Sequence, residues 1–337
     1  MTHWLLLPLV ALLALTLTGL LRRYALARSL LDVPNARSSH SVLTPRGGGV
    51  AIVLAFLVGL PLLGELHGAL AWSLYGAGLS VALLGFLDDH GHIAARWRLL
   101  GHFAAAFWVL FWLGGLPPLP FFGHALELGW LGYPLGALYL VWLLNLYNFM
   151  DGIDGIASIE AVCVCLGGAL LHLWLDDAGS AMPVLLLAAA VAGFLFWNFP
   201  PARIFMGDAG SGFLGIALGI LSLHAAWQAP QLLWSWLILL GVFIVDATWT
   251  LLRRLLRGEK LYQAHRSHAY QRAARMHGGH LPVSLSVGIL NLCWLLPLAL
   301  AVGLGHLDGL AGVLLAWAPL FWLAVRYHAG AAQEVER

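Results

Sequence analysis

Apolar residues run along this chain in long, nearly unbroken stretches separated by short polar connections. About eleven of these approach the roughly 20 residues that a membrane-crossing helix needs. They fall near residues 4–21, 47–64, 69–87, 99–116, 131–149, 157–175, 181–197, 211–227, 232–252, 283–304 and 310–327. Lipid offers backbone amides no partner, so each stretch is predicted to be a helix. The expected class is an all-α integral membrane protein, a single polytopic domain over residues 1–337. The first stretch has no basic residue ahead of it and no small-x-small site after it, so it reads as a span and not as a cleaved leader. One connection, 117–133, alternates apolar and polar positions from Phe121 to Leu128, which predicts a small hairpin.

Composition and charge orient this plan. Charged residues make up 10% of the chain, where a soluble domain carries roughly 25%. The connections alternate between two sides, and all 17 Lys and Arg residues fall on one of them, from Arg22 and Arg23 to Arg326 and Arg337. Cytoplasmic connections collect Lys and Arg, so this side is expected to be cytoplasmic, with the N-terminus outside and the C-terminus inside. The formal net charge is only +1, and no nucleic-acid partner is expected. Cys163, Cys165 and Cys293 all lie within predicted spans, with no disulfide framework or zinc spacing.

The basic side also carries the polar chemistry. The first connection joins Asp32, Asn35, Arg37 and His40 to Pro45-Arg46-Gly47-Gly48-Gly49, where glycines at a helix start suit a bound oxyanion; a basic anchor with a hinge is the plainer account. The second is Asp88-Asp89-His90 at a helix end, followed by Arg96 and Arg98. Adjacent carboxylates repel near a low-dielectric boundary, and a divalent cation or an arginine relieves them. The third, Asn145-Leu-Tyr-Asn148-Phe-Met-Asp151-Gly-Ile-Asp154-Gly155, repeats hard oxygen ligands at helical spacing, which suits Mg²⁺. The fourth, Asn198 to Gly212, sets Arg203, Asp208 and Ser211 among glycines at a helix N-terminus, a place for metal and diphosphate together; Asp208 as a simple cap is the alternative. The fifth and longest, 253–282, holds His265, Arg266, His268 and Arg272, and its arginines favour phosphate or sugar oxygens over a transition metal. Glu160 and Asp246 lie deeper, as ionisable groups within spans. His172, His224 and His306 fall toward the other side and carry no expected chemistry here.

Taken in this order, Pro45-Arg46-Gly47-Gly48-Gly49, Asp88-Asp89, Asn148-x-x-Asp151-Gly-x-Asp154-Gly155, Phe205-Met-Gly207-Asp208-Ala-Gly210-Ser211 and the His265/His268 loop resemble one family. It is the polyprenyl-phosphate N-acetylhexosamine-1-phosphate transferases, which include the WecA-type and MraY-type enzymes. The resemblance covers residues from about 30 to 275. It implies transfer of a sugar 1-phosphate from a UDP-sugar to polyprenyl phosphate, with release of UMP, in the bacterial inner membrane and with Mg²⁺ as cofactor (Mn²⁺ a possible substitute). It implies Asp208 and Asn148 as metal contacts and Asp88, Asp89, Asp151 and Asp154 as catalytic residues. Arg46, Gly48, Arg96, Arg98, Asn145, Arg203, His265, Arg266 and His268 would face the substrates. A homodimer is possible.

Two departures from the family pattern stand out; the first bears on the role of a third carboxylate, and the second, with Arg46 before the glycines as in the branch that handles simple acetamido sugars, narrows the substrate. The acidic motif of the family ends on a third carboxylate, where this chain has His92. The histidine run of the MraY-type loop is here His265-Arg266-Ser-His268-Ala-Tyr270. A muramyl-pentapeptide donor is therefore not expected. N-acetylglucosamine or a 6-deoxy acetamido sugar such as FucNAc or QuiNAc is, for O-antigen (lipopolysaccharide) or related surface-glycan initiation. Direct attack by the lipid phosphate is favoured over an aspartyl intermediate. The competing readings are a lipid or glycan transporter, which would want polar groups at mid-membrane depth, and an inactive scaffold of a glycan-assembly complex.

Overall fold

The computed structural model describes residues 3–34, 42–64, 68–91, 93–259 and 265–332. Asn35, Arg37, His40, His92 and Arg337 from the sequence reading lie outside them. The helices are α1 (His3–Ala27), α2 (Val50–Gly59, continued by a 3₁₀ turn to Leu63), α3 (Ala69–Gly91), α4 (Ala95–Leu113), α5 (Gly132–Met150), α6 (Ile156–Trp174), α7 (Ala178–Asn198), α8 (Asp208–Gln228), α9 (Leu232–Leu239), α10 (Gly241–Leu256), α11 (Ala269–Met276), α12 (His280–Gly303) and α13 (Gly309–Arg326). Every expected apolar stretch is helical. Length and apolarity nevertheless support a smaller number of spans than eleven. Among the described residues eight helices qualify, or nine when α9 and α10, which meet at 70°, count as one bent span. The expected span 47–64 is the shorter apolar helix Val50–Leu63. The expected span 99–116 is α4, whose first turn holds Arg96 and Arg98.

The protein is a multi-pass membrane protein, and its surface says why. Leu5, Leu9, Phe111 and Trp322 are exposed on the flanks of the bundle, where a soluble protein would carry charge. α8 forms the centre, with nearly all of its length buried. It packs against α3 and α5, while α1, α2, α6 and α7 form a second group and α9, α10, α12 and α13 a third. Close crossing fixes the site. A Cβ at Gly85 of α3 would lie 2.5 Å from the Asp208 carbonyl oxygen, so only glycine lets α3 cross the start of α8 there. That crossing carries Asp88 and Asp89 over Asp208.

Strands are few. β1 (Leu31–Asp32) pairs antiparallel with β2 (Thr44–Pro45). The expected hairpin is β3 (Leu119–Phe121) with β4 (His124–Leu126) in the register Leu119↔Leu126. Its turn, Phe122-Gly123, has positive φ at both residues, the geometry that two-residue hairpins favour. All three cysteines are free.

Within the membrane core, Asn291 Nδ2 donates to Glu160 Oε2 at 2.6 Å and joins α12 to α6 at a π-helical turn, Asn291–Leu295. Both residues are buried, so the amide is the carboxyl group's partner across the interface. Asn291→Leu removes that donor from a buried polar group, a loss of about 1–3 kcal/mol. The melting temperature in detergent is expected to fall by several degrees. An unchanged value would show that the pair contributes nothing to the α6–α12 packing.

Candidate active site

The first and fourth basic-side connections meet as a short strap. Phe205 N–H donates to the Pro45 carbonyl at 2.8 Å, Gly48 N–H to the Phe205 carbonyl at 2.9 Å, and Gly49 N–H to the Met206 carbonyl at 2.8 Å. A Cβ on Gly49 would lie 2.5 Å from Gly210 Cα, so the starts of α2 and α8 touch backbone to backbone. The glycine run is thus a packing joint. Its expected phosphate cradle, including Gly48, is already occupied by protein carbonyls.

Beside this joint the charged groups gather. Asp89, whose side chain is 4% exposed, accepts hydrogen bonds from the Asp208 N–H at 3.2 Å and the Ala209 N–H at 3.4 Å. Its carboxylate therefore caps α8 from outside, where the helix dipole favours an anion. Arg46 Nη2 lies 2.6 Å from Asp89 Oδ1 and 2.9 Å from Asp208 Oδ1. Arg98 pairs with Asp88 and approaches Asp208 Oδ2 at 3.5 Å. Asp88 also accepts from the Ile93 N–H at 2.7 Å. Asp208 is thus held between two guanidinium groups, one toward each oxygen.

Asp151 completes the cluster differently. Its carboxylate has no hydrogen-bond donor among the described residues. Burial, with the neighbouring Asp208, Asp89 and Asp154 carboxylates, holds it well above the usual carboxylate range against the pull of Arg46. Asn148 donates to Ser211 Oγ at 2.9 Å. One cavity is lined by Asp88, Arg98, His102, Asn145, Asn148 and Asp208, and its other side chains, Val81, Leu84, Leu144 and Phe149, are apolar.

The histidine loop is fastened to the same end of the bundle by Asp246. That buried carboxylate accepts from Thr250 Oγ1 at 3.0 Å, the Ala269 N–H at 2.9 Å and the Tyr270 N–H at 3.0 Å, and lies 3.3 Å from His268 Nδ1. His265 and His268 stack with ring centres 4.9 Å apart. Burial, with Arg254 and His268 nearby, pushes His265 down to about 3, so this ring is neutral. Tyr270 Oη donates to the Phe149 carbonyl at 2.9 Å and so ties α11 to the end of α5, next to Asp151.

Residues 71–226 match the family model described as Glycosyl transferase family 4. A Bacillus subtilis protein, named a probable undecaprenyl-phosphate N-acetylglucosaminyl 1-phosphate transferase, is 33% identical over 272 residues, covering 77% of this chain and 73% of its own. The chain belongs to this family. A phospho-N-acetylmuramoyl-pentapeptide-transferase of Synechococcus elongatus is 34% identical over 223 residues, 60% of this chain and 58% of its own. One from Maricaulis maris is 29% identical over 216 residues, 53% and 59% respectively.

Within this family member the expected site residues divide. Arg46, Asp88, Asp89, Arg98, Asn145, Asn148, Asp151 and Asp208 come together. Arg96 does not line the cavity and lies over the Trp97 ring at 5.5 Å, because two residues along a helix turn it to the far face from Arg98. Arg203 is held over the rings of Phe196 and Trp197 at the end of α7. Arg266 has a loop position, and its carbonyl accepts from Arg275. Asp154 accepts from the Ala202 N–H at 3.0 Å, lies 3.1 Å from His280 Nδ1, and lines a separate recess with Thr44, Phe205 and His280. Sequence reasoning named no site role for His102, Tyr270 or His280, and Asp246 stood out only as a carboxylate inside a span.

Asp246→Ala leaves the Ala269 and Tyr270 amides and His268 without their shared acceptor. Hydrogen exchange over 265–276 is expected to quicken while α8 stays protected. Unchanged exchange in that loop would show that another contact anchors it.

Proposed function

We propose that the chain transfers an N-acetylhexosamine 1-phosphate from a UDP-sugar to a polyprenyl phosphate, giving the lipid-diphosphate sugar and UMP. The cluster of Asp88, Asp89, Asp151 and Asp208 with Arg46 and Arg98, set over an apolar-walled cavity, carries this reading. Such a site joins a charged reaction to a substrate anchored in lipid. The names of the relatives support undecaprenyl phosphate as the acceptor and N-acetylglucosamine as one donor sugar. The side that holds every Lys and Arg supports a cytoplasmic active face in a bacterial inner membrane, N-terminus outside. N-acetylglucosamine or a 6-deoxy acetamido sugar, at the start of O-antigen or a related glycan, remains the favoured donor class.

In the proposed reaction an oxygen of the lipid phosphate attacks the phosphorus that bears the sugar, and the bond from that phosphorus to the bridging oxygen breaks. UMP leaves with that bridging oxygen. Both reactants are anions, so the chain must position them in line and offset their charge. Arg98 and Arg46 stand where they can do this, and Asp88, held by Arg98, positions the attacking phosphate. Tyr270 and Asp246 hold the histidine loop against the same end.

Mg²⁺ fits the donor set. Asp208, Asn148 and Asp151 offer hard oxygens, and the Asp151 carboxylate lacks a partner while crowded by other carboxylates. Among the described residues no three His, Cys, Asp or Glu side chains form a closed cage; a cation bound here would take its remaining ligands from substrate phosphates and water. The ion, when bound, would neutralise charge on the diphosphate.

The test uses detergent-purified protein, polyprenyl phosphate and Mg²⁺, with UDP-GlcNAc and UDP-FucNAc in parallel and UMP and lipid product as readouts. One donor is expected to give UMP, abolished by EDTA and reduced by about 10²–10³ in Asp208→Asn, the scale of losing one electrostatic stabiliser. Mg²⁺ alone is expected to raise the melting temperature of the wild type and not of Asp208→Asn. No UMP across a wide UDP-sugar panel sinks the enzyme reading and leaves the scaffold.

A further inference from the structure

We propose that His102 is a further binding residue for the acceptor, its Nε2–H donating to a phosphate monoester carried on an apolar chain. The naming of that anion as the acceptor rests on the transferase reading above. The position of His102 follows from helix geometry. It lies four residues after Arg98 on α4, so both side chains share one face. Both line the cavity with Asp88, Asn145, Asn148 and Asp208.

The tautomer of the ring is fixed by its neighbours. Asn145 Nδ2 donates to the Val141 carbonyl at 2.7 Å, which establishes which end of that amide is nitrogen. The same nitrogen lies 3.4 Å from His102 Nδ1. An amide nitrogen only donates, so Nδ1 accepts and a neutral imidazole carries its proton on Nε2. Among the described residues Nε2 has no protein partner. A half-buried N–H donor is thus presented in a cavity that already holds an Asp–Arg pair.

The form of the cavity selects the anion. Val81, Leu84 and Leu144 give it apolar walls on membrane-embedded helices, which suit the first units of a lipid chain. The other recess, at Asp154, Pro200, Phe205 and His280, is built mainly from connections outside the apolar spans, which suits a nucleotide arriving from water. A neutral donor also suits this place. It binds a phosphate oxygen without competing with Arg98 for Asp88.

The test compares wild type, His102→Leu and His102→Gln, whose amide can both accept from Asn145 and donate onward. In His102→Leu the KM for polyprenyl phosphate is expected to rise about ten- to hundred-fold, the scale of one hydrogen bond to a charged group. The KM for the UDP-sugar should stay within two-fold, and His102→Gln should recover most of the loss. Equal rises in both KM values, or no recovery in His102→Gln, overturn the proposal, since a purely structural histidine would behave so. Binding is read separately from turnover, as the rise in melting temperature given by farnesyl phosphate without UDP-sugar. That rise is expected in wild type and His102→Gln, to be absent in His102→Leu, and not to be reproduced by inorganic phosphate. A rise in wild type with no UMP formation keeps the phosphate site and removes the transferase reading. A rise of equal size in His102→Leu, or one lost in His102→Gln, removes the site.

Discussion

A buried carboxylate must be answered by donors and positive charge, and in this protein Asp89 is that carboxylate. Its two oxygens take the first amide hydrogens of α8, while Arg46 supplies the countercharge at 2.6 Å. Removing any one of these would leave an ion without compensation at the edge of a low-dielectric bundle, which is far more costly than losing a surface pair. The arrangement therefore fixes three things at once: the crossing of α3 over α8 at Gly85, the docking of the Pro45–Gly49 strap, and the direction of the Asp208 side chain. Functional groups on three separate connections are positioned by one electrostatic requirement.

The same accounting shows what the site lacks. Among the described residues, Asp88, Asp89, Asp151 and Asp208 face only Arg46 and Arg98 at close range. Asp88 and Asp89 each have a guanidinium, Asp208 shares both, and Asp151 has none to itself. Asp151 responds by holding its proton well above the ordinary range. A region with this excess of carboxylate repels two incoming phosphates unless further positive charge arrives with them. The divalent cation of the proposed function would supply that charge.

The sequence carried much of this arrangement, and the misses have physical causes. Carboxylates at the ends of apolar stretches are costly, so Asp88, Asp89, Asp151 and Asp208 stood out without any structure. Alternation over 121–128 was enough to signal the β3–β4 hairpin. Arg96 and Arg98 could not be separated by composition, since only helical phase sends one to the cavity and the other to Trp97. Gly48 read as a phosphate cradle because a glycine run is equally suited to close helix contact, and the partner that decides, Phe205, is remote in sequence. Asp246 had no legible role for the same reason, as its partners His268, Ala269 and Tyr270 lie more than twenty residues onward. α2 is shorter than the other apolar helices and α4 begins with two arginines, so length and composition alone count eight or nine of the eleven stretches among the described residues.

The segment from Asn145 to Asp154 contributes side chains to two separate recesses. Asn145 and Asn148 belong to the cavity with apolar walls, and Asp154 to the recess with Phe205 and His280. Asp151 sits between them in the chain, close enough to feel both Asp208 and Asp154. On the proposed function, a lipid phosphate admitted from the membrane and a nucleotide admitted from water would therefore reach one ten-residue segment from two different recesses. Their phosphates would converge where Asp208 and the arginines stand. On the proposed function, the leaving nucleotide would retreat to water and the product would stay with the lipid, so the direction of each departure would be set by the solvent that each substrate came from.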